Sequence, residues 1–272
     1  MIDLRGKPIA ITGASAGIGA AVARACARAG MPVALAARRE DRLRSLAEEI
    51  ERAGGRAFVR RVDVAQAEEC RGFVEEAAAA LGPLHAVLAN AGYGFEAPVL
   101  ETTDAALREI LEVNVFGTLH TIRPALGPML RAGSGHVLIT TSCVSKIGIP
   151  FLSAYSLSKA CQDHLGRALR AELAGTGVSV STIHPIGTKT EFFEVAAGRS
   201  GGVAPGGVVS SSRTPGAFMQ TPERVAGAVV RCLRRPRAEV WTSLPVRLGM
   251  AMGVAFPGVL DRALAWKFGG RR

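Results

Sequence analysis

The stretch IAITGASAGIG, residues 9–19, decides the fold of this 272-residue chain. It begins as a short aliphatic run, typical of a buried strand, and passes through three glycines into an alanine-rich segment, typical of a helix. A direct turn from strand to helix needs glycine where the backbone bends tightly and where the helix approaches the sheet. The spacing T-G-x-x-x-G-x-G therefore predicts a strand–turn–helix unit, and the free N–H groups at the start of such a helix can bind a pyrophosphate.

The rest of the chain alternates between short apolar runs and longer segments with helical periodicity. The runs predict strands at 8–12, 32–37, 56–62, 84–90, 135–142, 178–184 and 239–242, and the periodic segments predict helices at 18–29, 40–53, 67–81, 104–131, 153–174 and 222–234. We expect Pro124 and Pro128 to bend or end the helix at 104–131. This order predicts the α/β class, with a Rossmann-like, doubly wound parallel sheet of about seven strands, helices on both faces and a C-terminal helical extension.

Composition and cysteine usage limit the class of protein. Hydrophobic residues make up 48% of the chain and charged residues 21%, which is ordinary for a globular protein and argues against disorder. The N-terminal segment shows neither a long apolar core nor a cleavage site, so we expect no secretory signal. The five cysteines are scattered without paired spacing, which predicts reduced thiols in a cytoplasmic protein, no disulfide framework and no metal site.

Two segments depart from the alternation. Residues 186–220 are rich in Gly, Ser, Pro and Thr, and so long an irregular stretch predicts a lid or a disordered segment. Residues 244–272 are apolar and basic, and their prolines and glycines make them a poor transmembrane candidate. This tail is able to lie on a membrane surface, to pack in a dimer or to cap a pocket, and packing against the protein is favoured.

The charge of the chain is concentrated near its C-terminal end. Of a net charge of +10, ten basic and three acidic residues lie between Glu223 and Arg272. Such a tail suits nucleic acid, anionic lipid or an acidic partner, and a plain solvated surface is an equally good interpretation. Nucleic-acid binding would need aromatic side chains for stacking, and Trp241 and Trp266 are the only tryptophans, so we predict no nucleic-acid partner.

Two arginines, Arg38 and Arg39, follow the second predicted strand. Dinucleotide-binding proteins that prefer NAD place an acid there against the ribose hydroxyls, and this chain has Ala37 instead. A guanidinium suits a 2′-phosphate, so the sequence favours NADP(H) over NAD(H). The alternative is that both arginines are solvated residues at the start of a helix.

Tyr155 and Lys159 lie four residues apart on a predicted helix, so both side chains share one face. A free tyrosine has a pKa near 10, which makes it a poor base at neutral pH, and a nearby ammonium lowers that pKa. The pair is therefore able to exchange a proton with an alcohol or a carbonyl. Taken alone, a surface tyrosine beside an unrelated lysine would be the better interpretation.

Further motifs accompany the pair, in this order: Asp63-Val64, Asn90-Ala91-Gly92, Asn114 and Ser142. Together with TGASAGIG and Tyr155-Ser-Leu-Ser-Lys159, they make the chain resemble the short-chain dehydrogenase/reductase family, in its compact single-domain form, over about residues 5–240. The resemblance implies a Rossmann domain at 1–243 that binds the dinucleotide and carries catalysis, followed by the extension at 244–272. It also implies a homodimer or homotetramer.

The resemblance assigns a role to each matching residue. Tyr155 would be the general acid/base, Lys159 would lower its pKa and hold the nicotinamide ribose, and Ser142 would orient the carbonyl. Asn114 would support a water chain that relays protons through Lys159. The cofactor would meet Gly13, Ser15, Gly17, Ile18, Gly19, Arg38, Arg39, Asp63, Val64, Asn90, Gly92, Tyr155, Lys159, Pro185 and Thr190. The departures are Ala89, where the family usually has asparagine, and Ile186, where it usually has glycine, so we expect an altered loop near the nicotinamide.

The residues nearest the expected substrate are apolar: Tyr93, Phe95, Val144, Ile147, Ile149, Phe151, Leu152, Phe192, Phe193 and Val195. They favour a hydrophobic ketone, aldehyde or secondary alcohol as the small-molecule substrate. His184 is expected to be a strand-end residue, and Cys143 a small buried one, since nothing in the sequence suggests a base for it. A protein that binds NADP(H) as a sensor or scaffold without turnover is the alternative, although such relatives commonly lose the tyrosine or the lysine.

Overall fold

A computed structural model of the chain describes residues 1–192, 196 and 219–268. The strands of its main sheet are β1 (Ile9–Thr12), β2 (Val33–Ala37), β3 (Ala57–Arg61), β4 (Ala86–Ala89), β5 (Gly135–Thr140), β6 (Val178–His184) and β9 (Glu239–Trp241). These seven strands are parallel and lie in the order β3-β2-β1-β4-β5-β6-β9. A small parallel pair, β7 (Gly187–Thr188) and β8 (Met219–Gln220), lies beside it.

Helices cover both faces of the sheet, as the alternating pattern predicts. They are α1 (Gly17–Arg28), α2 (Glu40–Arg52), α3 (Ala67–Leu81), α4 (Asp104–Leu111), α5 (Gly117–Arg131), α6 (Ser153–Glu172), α7 (Pro222–Arg234), α8 (Leu244–Ala255) and α9 (Pro257–Phe268). The predicted Rossmann-like fold with C-terminal helices is therefore confirmed.

The alternation of side chains along each strand divides the core in two. Ile9 and Ile11 of β1 pack with α1, α2 and α7, whereas Ala10 between them packs with α3 and α5 on the opposite face. Both faces are apolar because a parallel sheet is covered on both sides. Each fully buried aliphatic or aromatic side chain contributes about 1.5–3 kcal/mol to this core.

The two prolines do not end the long helix, which was one of the two effects expected of them. Pro124 and Pro128 both lie inside α5, whose buried face packs into the core. The irregularity instead lies at the π turn Glu112–Phe116, between α4 and α5. The main-chain oxygen of Asn114 in this turn accepts hydrogen bonds from Gln162 Nε2 and Thr118 Oγ1, both at 2.7 Å. These bonds satisfy a carbonyl that a regular helix would pair with a backbone N–H.

Only the ends of the predicted lid at 186–220 are described. β7 and β8 pair with each other and hold the two ends together. Phe193 and Val195, which we expected near the substrate, lie outside the described residues.

The predicted tail forms α8 and α9, which meet at 110°. Within the described ranges, no single helix has both the length and the apolar character needed to cross a membrane. These two helices together would meet the criteria of length and composition, but as a sharply bent pair.

Candidate active site

The turn after β1 brings the backbone of three elements close together. Gly13 has φ +68°, and a Cβ placed there would lie 2.8 Å from Ala91 Cα. A Cβ at Gly19, in the first turn of α1, would overlap the carbonyl oxygen of Gly13. Glycine is therefore required at both positions, one for the conformation and one for the packing of the helix on the turn. The residue that caps α1 is Ala16, whose side chain cannot accept a hydrogen bond, so the helix start is open to an anion.

Asn90, which follows β4, connects the ends of β1 and β5 through hydrogen bonds. Its Nδ2 donates to Thr12 O at 3.1 Å, and its Oδ1 accepts from Thr140 Oγ1 at 3.2 Å. The carboxyl ends of β1, β4 and β5 are thereby held at one edge of the sheet, where ligands of open α/β sheets bind.

The two predicted cofactor arginines, Arg38 and Arg39, line the cleft beside the glycine turn. The Arg39 guanidinium donates through Nε and Nη2 to Ser15 Oγ, at 3.3 and 3.2 Å. Its Nη1 donates to the carboxylate of Glu191 at 2.7 Å, and Arg42 forms an ion pair with the same carboxylate. Arg42 and Glu191 were not predicted from the sequence. The position of Arg42 one helical turn beyond Arg38 was the available signal for the first of them.

Tyr155 and Lys159 share a face of α6 and line the cleft together with Ser142, which follows β5. Lys159 Nζ lies 5.7 Å from the centre of the Tyr155 ring and donates to Thr140 O at 3.0 Å and to Gln162 Oε1 at 2.7 Å. The ammonium is thus directed toward the end of β5 and toward its own helix.

Burial governs the pKa values of this pair in the free protein. It raises the pKa of Tyr155, and the Ser142 hydroxyl opposes that shift. It lowers the pKa of Lys159 to about 7. The sequence led us to expect a Tyr155 pKa lowered by Lys159, and the largest influence on it acts in the opposite direction because both side chains are removed from water.

Asn114 lies behind this pair, fully buried in the π turn. Its Oδ1 accepts from Tyr93 N at 3.0 Å, and its Nδ2 donates to Tyr93 O at 3.1 Å and to Ser158 Oγ at 2.9 Å. Gln162 connects its main-chain oxygen to Lys159. Sequence reasoning missed Gln162, although its spacing of three residues from Lys159 on the buried face of α6 was a usable signal.

Nearly all the residues predicted for the site line one cleft of about 750 Å³. Those that line it are Gly13, Ser15, Gly17, Ile18, Arg38, Arg39, Asp63, Val64, Asn90, Gly92, Ser142, Tyr155, Lys159, Pro185 and Thr190. Gly19 and Asn114 do not line the cleft but support residues that do. Ile186 lines it too and is buried, and it is not among the described residues with positive φ, so isoleucine fits this backbone without strain.

The other end of the cleft is apolar. Of the side chains expected there, Tyr93, Val144, Ile147, Ile149, Leu152 and Phe192 line it, whereas Phe95 packs beneath Tyr93. The tail supplies residues that sequence reasoning did not identify individually: Val246, Met250, Leu264, Lys267 and Phe268. Phe151 packs its ring 6.2 Å from that of Phe268 and has φ +66°. The tail helices therefore lie against the protein and form one wall of the cleft.

A buried charged cluster lies below the loop that bears Ser142. Lys146 Nζ contacts Asp163 Oδ2 at 2.7 Å and Glu239 Oε1 at 3.0 Å, and the rings of His184 and Trp241 stack with centroids 4.4 Å apart. Burial lowers the pKa of His184 to about 4, so this ring is neutral at pH 7. His184 ends β6, as expected of a strand-end residue. We refer to Lys146, Asp163, His184 and Glu239 as the ion cluster.

Cys143 lines the cleft beside Ser142, and burial raises the pKa of its thiol to about 11. A thiol with that pKa is protonated at neutral pH, which argues against a nucleophilic thiolate.

Comparisons with known proteins agree with this geometry. The model of the short chain dehydrogenase family matches residues 7–198. Ketoacyl reductase HetN of Nostoc sp. is 30% identical over 98% of this chain and 91% of its own length. Glycine betaine reductase ATRR of Emericella nidulans is 34% identical over 86% of this chain, which spans only 18% of the length of ATRR.

Solved structures agree as well. An alcohol dehydrogenase of Thermococcus sibiricus, complexed with 5-hydroxy-NADP, is 32% identical with a TM-score of 0.74, and the match covers 86% of this chain and 95% of that one. A short chain dehydrogenase/reductase of Burkholderia phymatum in complex with NAD has a TM-score of 0.85 over 96% of this chain and 97% of its own; at 23% identity this shows the fold alone. The chain thus belongs to the short-chain dehydrogenase/reductase family, oxidoreductases that act on CH–OH and C=O groups with a nicotinamide cofactor.

Proposed function

We propose that the protein is an NADP(H)-dependent oxidoreductase that interconverts a hydrophobic ketone or aldehyde and its alcohol, with Tyr155 as general acid/base. One observation carries the proposal. Tyr155, Lys159 and Ser142 line the same cleft as the glycine turn and the arginines Arg38 and Arg39, so a dinucleotide bound at one end would reach the polar groups in the middle.

The residues present fit the cofactor. The open start of α1 and the glycine turn suit its pyrophosphate, and Arg38 and Arg39 suit a 2′-phosphate. Ala37 leaves no carboxylate at the end of β2 to bind the 2′-hydroxyl of NAD(H). When bound, the cofactor supplies or accepts the hydride at its nicotinamide ring.

The protonation states support reduction of a carbonyl. Burial raises the pKa of Tyr155, so the phenol holds its proton at neutral pH. It is therefore able to donate that proton to the oxygen of a carbonyl. The Ser142 hydroxyl, beside Tyr155, is suited to donate a hydrogen bond to the same oxygen. Lys159, with a pKa of about 7, exists in both protonation states near neutral pH, and Gln162 connects it to Asn114. The Lys159 ammonium lies on the same face of α6 as Tyr155 and is suited to return a proton to the phenolate, while Gln162 and the main-chain oxygen of Asn114 hold the lysine side chain in place.

The apolar end of the cleft supports a hydrophobic substrate. Ile147, Leu152 and Phe192 line it together with the tail residues Met250 and Leu264. Burying apolar substrate surface there is favourable in proportion to its area. We further propose a cytoplasmic homo-oligomer, a form that is typical of the family, with a catalytic domain at 1–243 and a tail at 244–272 that caps the cleft.

The test is oxidation of NADPH and of NADH with a panel of ketones and aldehydes, for the native protein and for Tyr155→Phe. We expect turnover with NADPH on apolar carbonyls and a loss in kcat/KM of about 10²- to 10⁴-fold in the variant. Unchanged thermal unfolding and NADPH affinity in Tyr155→Phe would assign the loss to the phenol. Tight NADPH binding without turnover on any substrate would instead favour the sensor or scaffold, and preference for NADH would contradict the role of Arg38 and Arg39.

A further inference from the structure

A carboxylate of the protein itself is bound to the arginines beside the proposed 2′-phosphate site. Glu191 accepts from Arg39 Nη1 at 2.7 Å and pairs with Arg42 as well. The remaining nitrogens of Arg39 bind Ser15 of the glycine turn. Glu191 follows β7 and so joins the start of the predicted lid segment to the cofactor end of the cleft.

The two neighbours of Glu191 contact two other parts of the cleft. Thr190 packs on the glycine turn, where a Cβ placed at Gly17 would lie 2.9 Å from Thr190 Cγ2. Phe192 packs on the proposed general acid, with its ring centroid 5.3 Å from that of Tyr155. Three consecutive residues, 190–192, therefore contact the glycine turn, the arginines Arg39 and Arg42, and Tyr155. Because they are adjacent in one backbone, a shift of the main chain at Glu191 would move Thr190 and Phe192 with it.

We propose that Glu191 is an internal competitor for the 2′-phosphate of NADP(H), and that exchange of its carboxylate for the phosphate moves Phe192 away from Tyr155. The inference rests on the proposed cofactor and deepens it. Glu191 would reduce the preference for the phosphorylated nucleotide over the unphosphorylated one, and would link binding of the 2′-phosphate to access of the substrate to Tyr155.

The charges favour this exchange. Hydrogen bonds from Arg39 and Arg42 lower the pKa of Glu191, so it is ionised at neutral pH. A phosphate monoester carries a charge of about −1.5 to −2 and three acceptor oxygens, against a charge of −1 on a carboxylate. The side chains of Arg39, Arg42 and Glu191 remain 40–43% exposed, and such ion pairs are individually weak, so the phosphate can displace the carboxylate at little cost.

Calorimetric titration with two nucleotides tests the competition without turnover. The ligands are adenosine 2′,5′-bisphosphate and its matched control 5′-AMP, which lacks only the 2′-phosphate. The proteins are the native chain, Glu191→Gln and the control Glu49→Gln. Glu49 is also an exposed carboxylate paired with an arginine, Arg24, but it does not line the cleft.

We expect Glu191→Gln to raise the ratio of affinities, bisphosphate over 5′-AMP, by about three- to tenfold, since two exposed ion pairs no longer compete. Glu49→Gln should leave the ratio unchanged, which separates the local effect from the gain of one unit of net charge. An unchanged ratio in Glu191→Gln, in a native protein that prefers the bisphosphate, would overturn the competition and leave the NADP(H) proposal intact. A native protein that does not prefer the bisphosphate, and in which Arg39→Ala changes nothing, would overturn both.

Hydrogen–deuterium exchange tests the link to Phe192. In the native protein, the bisphosphate should speed amide exchange over residues 187–192 relative to 5′-AMP, because it removes the anchor at Glu191. In Glu191→Gln the segment should exchange faster without ligand, and the two nucleotides should then give the same rate. Equal exchange with both nucleotides in the native protein would overturn the link.

Discussion

At its cofactor end, the cleft is formed by backbone at the carboxyl ends of neighbouring parallel strands, whereas at its substrate end it is formed by side chains from segments far apart in the chain. The main chain at Gly13 approaches Ala91 closely, and the Asn90 side chain donates to the main-chain oxygen of Thr12, which together hold the first end. Ile147 and Leu264 form the second, one from the loop after β5 and the other from the tail. The first end therefore admits few residue types, whereas the second admits many of similar volume.

The largest expected effect on cofactor binding is that of a methyl group at the cofactor end. Gly19→Ala would force the Cβ into the carbonyl of Gly13 and against Asn90 Nδ2, so the turn must open. We expect a loss of at least about 100-fold in affinity for NADPH and a cost of about 1–3 kcal/mol in the free energy of unfolding. Calorimetry and urea denaturation measure the two quantities.

The matched control lies at the other end. Gly249, inside α8, has no atom within 4 Å of a Cβ placed there, and its φ is not positive. Gly249→Ala should be neutral or should stabilise the protein by about 0.5–1 kcal/mol, because alanine favours the helix. If both substitutions proved equally harmless, the cofactor end would tolerate an added methyl group as well as the tail does, contrary to the proposed difference.

This difference also explains how much of the site the sequence could predict. The glycine turn, Asn90, Ser142 and the Tyr155–Lys159 pair are short motifs, because the backbone geometry they serve allows few alternatives. The strands and helices were predictable for a different reason, because the spacing of apolar residues along the chain indicates which face of each element is buried. The π turn was not predictable, because its Asn114 carbonyl is bonded by Gln162 of a distant helix, and no local signal in the sequence marks that tertiary contact.

Between the two ends, the loop bearing Ser142 is held by the ion cluster. Lys146 lies in that loop, and its side chain is 16% exposed, while that of Asp163 is 2% exposed. Lys146→Met would leave the buried carboxylate of Asp163 without its cation and, among the described residues, would leave Glu239 with only the Arg167 cation, at 4.0 Å. We therefore expect a loss of about 3–5 kcal/mol in the free energy of unfolding at pH 7. Chemical denaturation measures it.

An exposed ion pair provides the control for that variant. Glu68→Gln removes a carboxylate paired with Arg71 at the surface and should change stability by less than about 0.5 kcal/mol. A loss of similar size in both variants would mean that the ion cluster contributes no more to the free energy of unfolding than a surface ion pair does. Sequence reasoning missed this cluster because its members come from a loop, α6, β6 and β9, with no common spacing.

The cluster also predicts a dependence of stability on pH. Burial raises the pKa of Glu239, but hydrogen bonds from Trp241 and Lys146 outweigh it and hold the pKa at about 2, below the ordinary 4.5. The contribution of a carboxylate with a lowered pKa is fully present above the unfolded value and is lost as the pH falls from 4.5 through 2. Glu239→Gln should therefore be less stable than the native protein at pH 7, and denaturation curves should converge toward pH 3. A difference that stays constant over this range would contradict the assignment.

The smallest expected effect is at the substrate end, where a wall of half-buried side chains tolerates change. Leu264→Ala removes apolar contact surface from the tail without touching the cofactor end, so we expect the KM for a hydrophobic ketone to rise about three- to fivefold. The kcat and the affinity for NADPH should stay unchanged, since the groups that hold the cofactor and the proton lie elsewhere. Val259→Ala, at a position 66% exposed on the same helix, is the matched control and should alter none of these. A fall in kcat for Leu264→Ala with KM unchanged would mean that the tail acts on the geometry of Tyr155 and not on substrate binding. The substrate end would then tolerate as few residue types as the cofactor end.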